Sequence, residues 1–340
     1  MTFALIIIAF SISVILTDLL SRPQSILYLI DQPNARSLHT RPIPVSGGVA
    51  FLTGLLIVTM IAHHFYPFPP PLIWIGYSSL MIAIISFIDD YRTLSPGNRL
   101  IVHFLAAILL LWQENLWINQ LILAEQIWEI PLLLQPVISL LFIVWMTNLY
   151  NFMDGMDGFA GGMALFGFGT LAALGMLADH FLFMLSNLLI ASAVAGFLIF
   201  NFPPARIFMG DTGASTLGFL AAAMSLWGQQ EGIFALWIAL LIFSPFIVDA
   251  TITLLRRLWQ GEKIWLAHKH HYYQRLVQLG WGHRRTVLWE YGLMASCSGS
   301  ALLAPSGAGQ WGLLGGWVLI YSGLIYLVGR LEQKAMSHLQ

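Results

Sequence analysis

Residues 132–162 read LLLQPVISLLFIVWMTNLYNFMDGMDGFAGG. Up to Thr147 the stretch is almost pure hydrocarbon; from Asn148 onward it holds two asparagines, two aspartates and four glycines. A bilayer-crossing helix needs about 20 predominantly apolar residues. A carboxylate at the bilayer centre costs roughly 2.5–3.5 kcal/mol on insertion scales. The abrupt change at Asn148 therefore marks the place where a membrane helix reaches water. The glycines there let the backbone turn sharply and approach a ligand.

The same pattern repeats along all 340 residues. Apolar runs lie near 2–21, 46–65, 71–88, 100–113, 132–150, 160–178, 182–200, 214–228, 233–254, 287–304 and 311–329. Hydrophobic residues make up 58% of the chain and charged ones only 9%, too few to keep a soluble surface of this size wet. The expected fold is an all-α, polytopic integral membrane protein with eleven spans, forming a single domain over 1–340. The first run lacks a basic leading segment and is expected to be retained rather than cleaved.

Net charge is −1 and says nothing about partners, but its distribution is informative. With eleven spans, all 15 Lys and Arg residues fall in the odd-numbered loops or after the last span. Arg22, Arg36 and Arg41 flank loop one; Arg92 and Arg99 lie in loop three and Arg206 in loop seven. Loop nine carries seven, from Arg256 to Arg285, and Arg330 and Lys334 close the count. Lys/Arg bias sets orientation, so the N-terminus is expected outside and the C-terminus in the cytoplasm. The sole cysteine, Cys297, falls in the tenth run and reads as a packed apolar residue. The outer segment WINQLILAEQIWEI has two readings, a small amphipathic hairpin or an interfacial helix.

Polar chemistry gathers on the inner side, in loops near 30–48, 89–99, 148–162, 201–214 and 255–286. Asp89 and Asp90 sit at the end of the third run, Asp154 and Asp157 follow the fifth, and Asp211 precedes the eighth. Adjacent carboxylates raise one another's pKa unless a cation intervenes. Carboxylates with the amide oxygens of Asn148 and Asn151 form a hard-oxygen set that suits Mg²⁺ better than zinc. Mg²⁺ usually completes its shell with water and substrate phosphates. His268, His270, His271, Lys269 and Arg275 add cationic donors, and Gly210 opens a helix whose N-terminus favours an anion. A zinc site is the alternative for the histidines, but no cysteine accompanies them. Asp18 reads as an i,i+4 partner of Arg22, and His103 as a packing or snorkelling residue. Asp249, inside the ninth run, is open to either a structural or a functional reading.

Three motifs carry a resemblance: IDDYRTLSPGNR at 88–99, NLYNFMDGMDGFAGG at 148–162 and PPARIFMGDTGA at 203–214. In this order, each at an inner helix end, they resemble the polyprenyl-phosphate N-acetylhexosamine-1-phosphate transferases, across roughly residues 30–285. The resemblance implies transfer of an N-acetylhexosamine 1-phosphate from a UDP-sugar to undecaprenyl phosphate. UMP is released, and Mg²⁺ is required, with Mn²⁺ as a substitute. By resemblance Asp89 and Asp90 are the catalytic pair, and Asp211 with Asp154 the metal ligands. Asn148, Asn151, Asp157, Phe208, Gly210, His268, His270, His271 and Arg275 line the substrate site, with Asp157 on uracil and Phe208 stacking on the base.

Loop one, DQPNARSLHTRPIPVSGG, has no lysine, and the later run is HKHHYYQR. Both features resemble the O-antigen and exopolysaccharide initiators more than phospho-N-acetylmuramoyl-pentapeptide transferase, the alternative within the family. The implied setting is the bacterial inner membrane, with the active site facing the cytoplasm and a homodimer as the family's usual assembly. The lipid bilayer is a partner and nucleic acid is not. A lipid-phosphate transporter or flippase is the alternative outside the family. It would place ionisable residues at the midplane, where only Asp249 qualifies.

Overall fold

The computed structural model describes residues 1–33, 37–263 and 268–337, the side chain of Met336 excepted. Arg36 and residues 264–267 of loop nine lie outside the described residues. The order is α1 (Thr2–Ser21), a short hairpin of β1 (Ile30–Asp31) with β2 (Ile43–Pro44), α2 (Gly47–Phe65), α3 (Pro70–Tyr91) and α4 (Pro96–Glu114). A second antiparallel hairpin, β3 (Gln120–Leu123) with β4 (Gln126–Glu129), leads to α5 (Gln135–Met153). Then come α6 (Phe159–Leu177), α7 (Phe181–Asn201), α8 (Gly210–Gln230), α9 (Leu236–Ile242) and α10 (Ser244–Trp259). Last are α11 (Tyr272–Leu276), α12 (Gly282–Leu302) and α13 (Gly309–Ser337). Prolines sit in the first turns of α3, α4, α5 and α10, where a missing N–H costs no intrahelical bond. The outer segment is thus the hairpin of its two readings.

The protein is mostly helical, and among the described residues seven helices are long and apolar enough to cross a membrane: α1, α2, α3, α5, α6, α7 and α13. The expected ninth span, 233–254, is not one straight helix. α9 and α10 meet at a bend of 80° around Phe243. Pro245 cannot donate to the ladder of a continuous helix, and the Ser244 hydroxyl instead bonds Leu241 O at 2.7 Å.

α8 is buried along almost its whole length and runs between α2, α3, α5 and α6. Its sequence, GDTGASTLGFLAAAMSLWGQQ, is less apolar than a lipid-facing helix because its neighbours are protein. Small residues on such a helix let adjacent backbones approach closely. The tightest approach is to α2. A Cβ on Gly48 would lie 2.4 Å from Gly213 N and 2.5 Å from Met209 O, both backbone atoms. Gly48→Val is therefore expected to cost about 3 kcal/mol or more through overpacking. Thermal melting in detergent would register the loss, and Gly76→Ala, where an added Cβ meets nothing within 4 Å, should melt like the parent.

Candidate active site

The C-terminal ends of α3 and α5 and the N-terminal end of α8 converge on a cavity of about 390 Å³. Its wall includes Asp90, Asn151, Asp154, Asp157, Phe208, Gly210 and Asp211. The β1–β2 loop supplies one side, including Leu38 and His39. Gln274 of α11 and His283 at the start of α12 supply the other.

Asp90 caps α8 from a different helix. Its Oδ1 accepts from Asp211 N at 2.9 Å, and its Oδ2 from Thr212 N at 2.9 Å and Thr212 Oγ1 at 2.5 Å. α8 has no side-chain cap of its own, so this carboxylate satisfies donors that would otherwise be orphaned. Gly210 makes the approach feasible. It has φ +71°, and a Cβ there would lie 2.6 Å from Val45 O and 2.8 Å from Asp90 Oδ2.

Asp89 is also engaged. Its Oδ1 accepts from Leu94 N at 2.6 Å, and its Oδ2 from Arg99 Nη1 at 2.7 Å. The same Arg99 nitrogen donates to Asp211 Oδ2 at 2.6 Å. Arg99 thus bridges the two acidic helix ends. Sequence reasoning counted it only as a loop charge, although it closes the IDDYRTLSPGNR motif.

Asp154, just past α5, is different. Its carboxylate accepts no hydrogen bond from any described residue. Burial, then the charges of Asp211, Asp90 and Asp157, push its carboxyl well above the usual range. A bound cation would reverse that push. Asp154 and Asp211 both line the cavity, and their carboxylates are hard donors. Among the described residues no three His, Cys, Asp or Glu side chains form a ready-made metal cage. A divalent ion held by two carboxylates and completed by water and phosphate, the usual Mg²⁺ arrangement, fits this donor set.

Asp157 is the hub of the opposite end. Its Oδ2 accepts from Ala205 N at 2.9 Å, and its Oδ1 lies 2.9 Å from His283 Nδ1. His283 precedes the tenth apolar run and was missed in the sequence, since its partner is far away in the chain. Burial alone would lower its pKa. The Asp157 hydrogen bond and charge, together with the Leu38 carbonyl, outweigh burial and raise it. A raised folded-state pKa gives stabilisation that is complete below the unfolded value near 6.5 and is lost as pH rises through the folded value. The expected result is a melting temperature that falls, as pH rises above the ordinary imidazole value of 6.5, by more in the parent than in His283→Gln. Parallel curves for the two proteins would remove His283 as the titrating latch.

Phe208 packs edge-on against His39, ring centroids 5.0 Å apart, at the cavity wall. Asn148 faces away toward α4, its amide donating to Val144 O at 2.7 Å and lying 3.3 Å from His103 Nδ1. His271 lies 3.1 Å from Asp249 Oδ1, and the Asp249 carboxylate also takes Tyr272 N and Tyr273 N at 3.0 and 3.1 Å. Asp249 therefore anchors the histidine segment. The His268 ring lies tilted against His271, centroids 4.8 Å apart, and burial, then the nearby His271 and Arg257 charges, hold its imidazole down at about 4. His270 and Arg275 line a separate cavity behind α11, rather than the acidic one.

A polytopic helical membrane protein with a cation-demanding acidic cavity at its helix ends is the class that fold and site define. The family model for glycosyl transferase family 4 matches residues 72–229, from α3 through α8. The chain is 29% identical over 309 residues to a probable undecaprenyl-phosphate N-acetylglucosaminyl 1-phosphate transferase of Bacillus subtilis (strain 168), covering 88% of this chain and 85% of that one. It is 29% identical over 301 residues to a decaprenyl-phosphate N-acetylglucosaminephosphotransferase of Mycobacterium leprae (strain TN), covering 78% and 74%. A phospho-N-acetylmuramoyl-pentapeptide-transferase of Staphylococcus epidermidis (strain ATCC 35984) is 27% identical over 276 residues, covering 75% and 84%. Over α3 to α8 the chain is thus similar to glycosyl transferase family 4.

Proposed function

We propose that this protein transfers an N-acetylhexosamine 1-phosphate from a UDP-sugar to a polyprenyl phosphate such as undecaprenyl phosphate. The observation that carries this is the convergence of Asp154 and Asp211 on one cavity that also presents Phe208 and the Asp157–His283 pair. An oxygen of the lipid phosphate attacks the phosphorus that bears the sugar. The bond to the bridging oxygen breaks, and UMP leaves with that oxygen. A phosphate monoester is largely dianionic at neutral pH, so the nucleophile needs little help from a base. Positioning and charge neutralisation are the main tasks.

Mg²⁺, or Mn²⁺ in its place, supplies neutralisation of the diphosphate when held by Asp154 and Asp211. Asp90 fixes the position of Asp211 by capping α8, and Asp89 holds Arg99 beside it. Both members of the expected catalytic pair thus work through hydrogen bonds already made. Phe208 offers a face for the base, Asp157 and His283 shape the end that would read uracil, and Asn151 and Gly210 line the diphosphate path. His271 and His268 act through the segment that Asp249 anchors.

The proposed arrangement in the membrane is eleven crossings with α9–α10 counted as one, the C-terminus and cavity cytoplasmic, in a bacterial inner membrane. Chain 1–340 works as a single domain whose product starts an envelope glycan such as O-antigen or exopolysaccharide. The test is UMP release by the purified protein with undecaprenyl phosphate and Mg²⁺, against UDP-N-acetylhexosamines and UDP-muramoyl-pentapeptide. Lipid-dependent UMP from a simple amino sugar is the expected result. Release with the pentapeptide donor alone would assign the peptidoglycan reaction, and no release from folded protein would overturn the proposal.

A further inference from the structure

Behind α11 lies a second cavity of about 270 Å³, half of whose lining is basic: Arg256, Arg257, Lys269, His270 and Arg275, with Glu332 of α13. Three of these side chains have carboxylate partners, His270 Nδ1 standing 3.6 Å from Glu262 Oε2. Arg257 Nε donates to Glu262 at 2.7 Å, and Arg275 pairs with Glu332 through two hydrogen bonds. Arg256 and Lys269 make no ion pair with a described residue. Setting Arg256, Arg257, Lys269 and Arg275 against Glu262 and Glu332 leaves a charge of +2 among the described residues. The 264–267 segment, IWLA, carries no charge to offset it.

The cavity opens beside an amphipathic helix. On α10, Thr253, Arg256, Arg257 and Gln260 fall at i, i+3, i+4 and i+7 and face the cavity. Leu255, Leu258 and Trp259 fall on the other side and are exposed, Trp259 by 93%. The end of a crossing helix that carries a basic face and a bare Leu/Trp face sits at the lipid headgroup level, where tryptophan concentrates. The anion most abundant at that depth is phosphate, and arginine forks match it in two-point geometry.

We propose that this cavity binds a phosphate group, that of an anionic lipid headgroup in the leaflet facing the active site. It is a site separate from the acidic cavity and does not depend on the transferase reading. It is coupled to that cavity by the five-residue α11, which sends Gln274 into the acidic cavity and Arg275 into the basic one.

The test uses the full chain in neutral detergent, titrated with phosphatidylglycerol, phosphatidylcholine or inorganic phosphate and read by native mass spectrometry. The variants are Arg256→Gln with Lys269→Gln, and the charge-keeping Arg256→Lys with Lys269→Arg. The parent should bind phosphatidylglycerol in preference to phosphatidylcholine, and the Gln pair should weaken that binding roughly thirtyfold. The charge-keeping pair should bind like the parent. Competition by inorganic phosphate at matching concentration, lost in the Gln pair, would keep the phosphate chemistry and assign a soluble source. Equal phosphatidylglycerol binding by parent and Gln pair overturns the proposal, as does equal weakening in both variants.

Discussion

Asp211→Asn is expected to lower turnover by roughly a thousandfold or more while leaving melting temperature unchanged or raised. The two effects have one origin. Asp211 stands among Asp89, Asp90 and Asp154, with Arg99 the cation bridging the cluster. Removing one negative charge relieves repulsion that the fold otherwise carries. Arg99 keeps its bond to Asp89, so no buried guanidinium is stranded. A residue retained against stability is the mark of a functional site. UMP release and thermal melting on the same preparation check both arms. Activity within a few-fold of the parent would remove Asp211 from the metal site.

Asp90→Ala should fail in the opposite way, losing activity and stability together. The substitution strips three donors at the start of a buried helix, Asp211 N, Thr212 N and Thr212 Oγ1, of their shared acceptor. Each unsatisfied buried donor costs about 1–3 kcal/mol, and water entering from the cavity offsets part of that. A net loss of roughly 3 kcal/mol is expected. Asp90→Asn, which keeps one acceptor oxygen, should fall between parent and Ala in melting temperature. If the alanine variant melted like the parent and only turnover fell, Asp90 would be a free catalytic carboxylate and not a cap.

The helices and the polar loop ends were legible in the sequence because the bilayer penalises charge so strongly. Asp89, Asp90, Asp154 and Asp211 could be read as one cluster simply because each borders an apolar run on the same side. What stayed hidden has physical causes. Pro245 lies in a run apolar enough to read as one span, so hydropathy concealed the 80° bend. α8 reads as a short, weak span because a helix surrounded by protein needs small residues rather than greasy ones. Arg99 and His283 find their partners through tertiary contacts that no periodicity encodes. Gln274 and Arg275 are neighbours in sequence, yet a short helix turns them toward different cavities.

The two walls of the acidic cavity are held by different kinds of bond. Loop one meets the start of α8 main chain to main chain: Gly47 N to Phe208 O at 3.0 Å, Gly48 N to Met209 O at 2.8 Å and Phe208 N to Pro44 O at 2.7 Å. The facing wall hangs on side-chain pairs, Asp157–His283, Asp249–His271 and Arg275–Glu332. Peptide-to-peptide bonds survive most side-chain replacements, whereas one substitution undoes an ion pair. The first wall therefore tolerates side-chain changes that would undo the second. The family match ends at residue 229, before any of loop nine. A designer seeking a new donor sugar would therefore leave the seam alone and recombine residues 268–285.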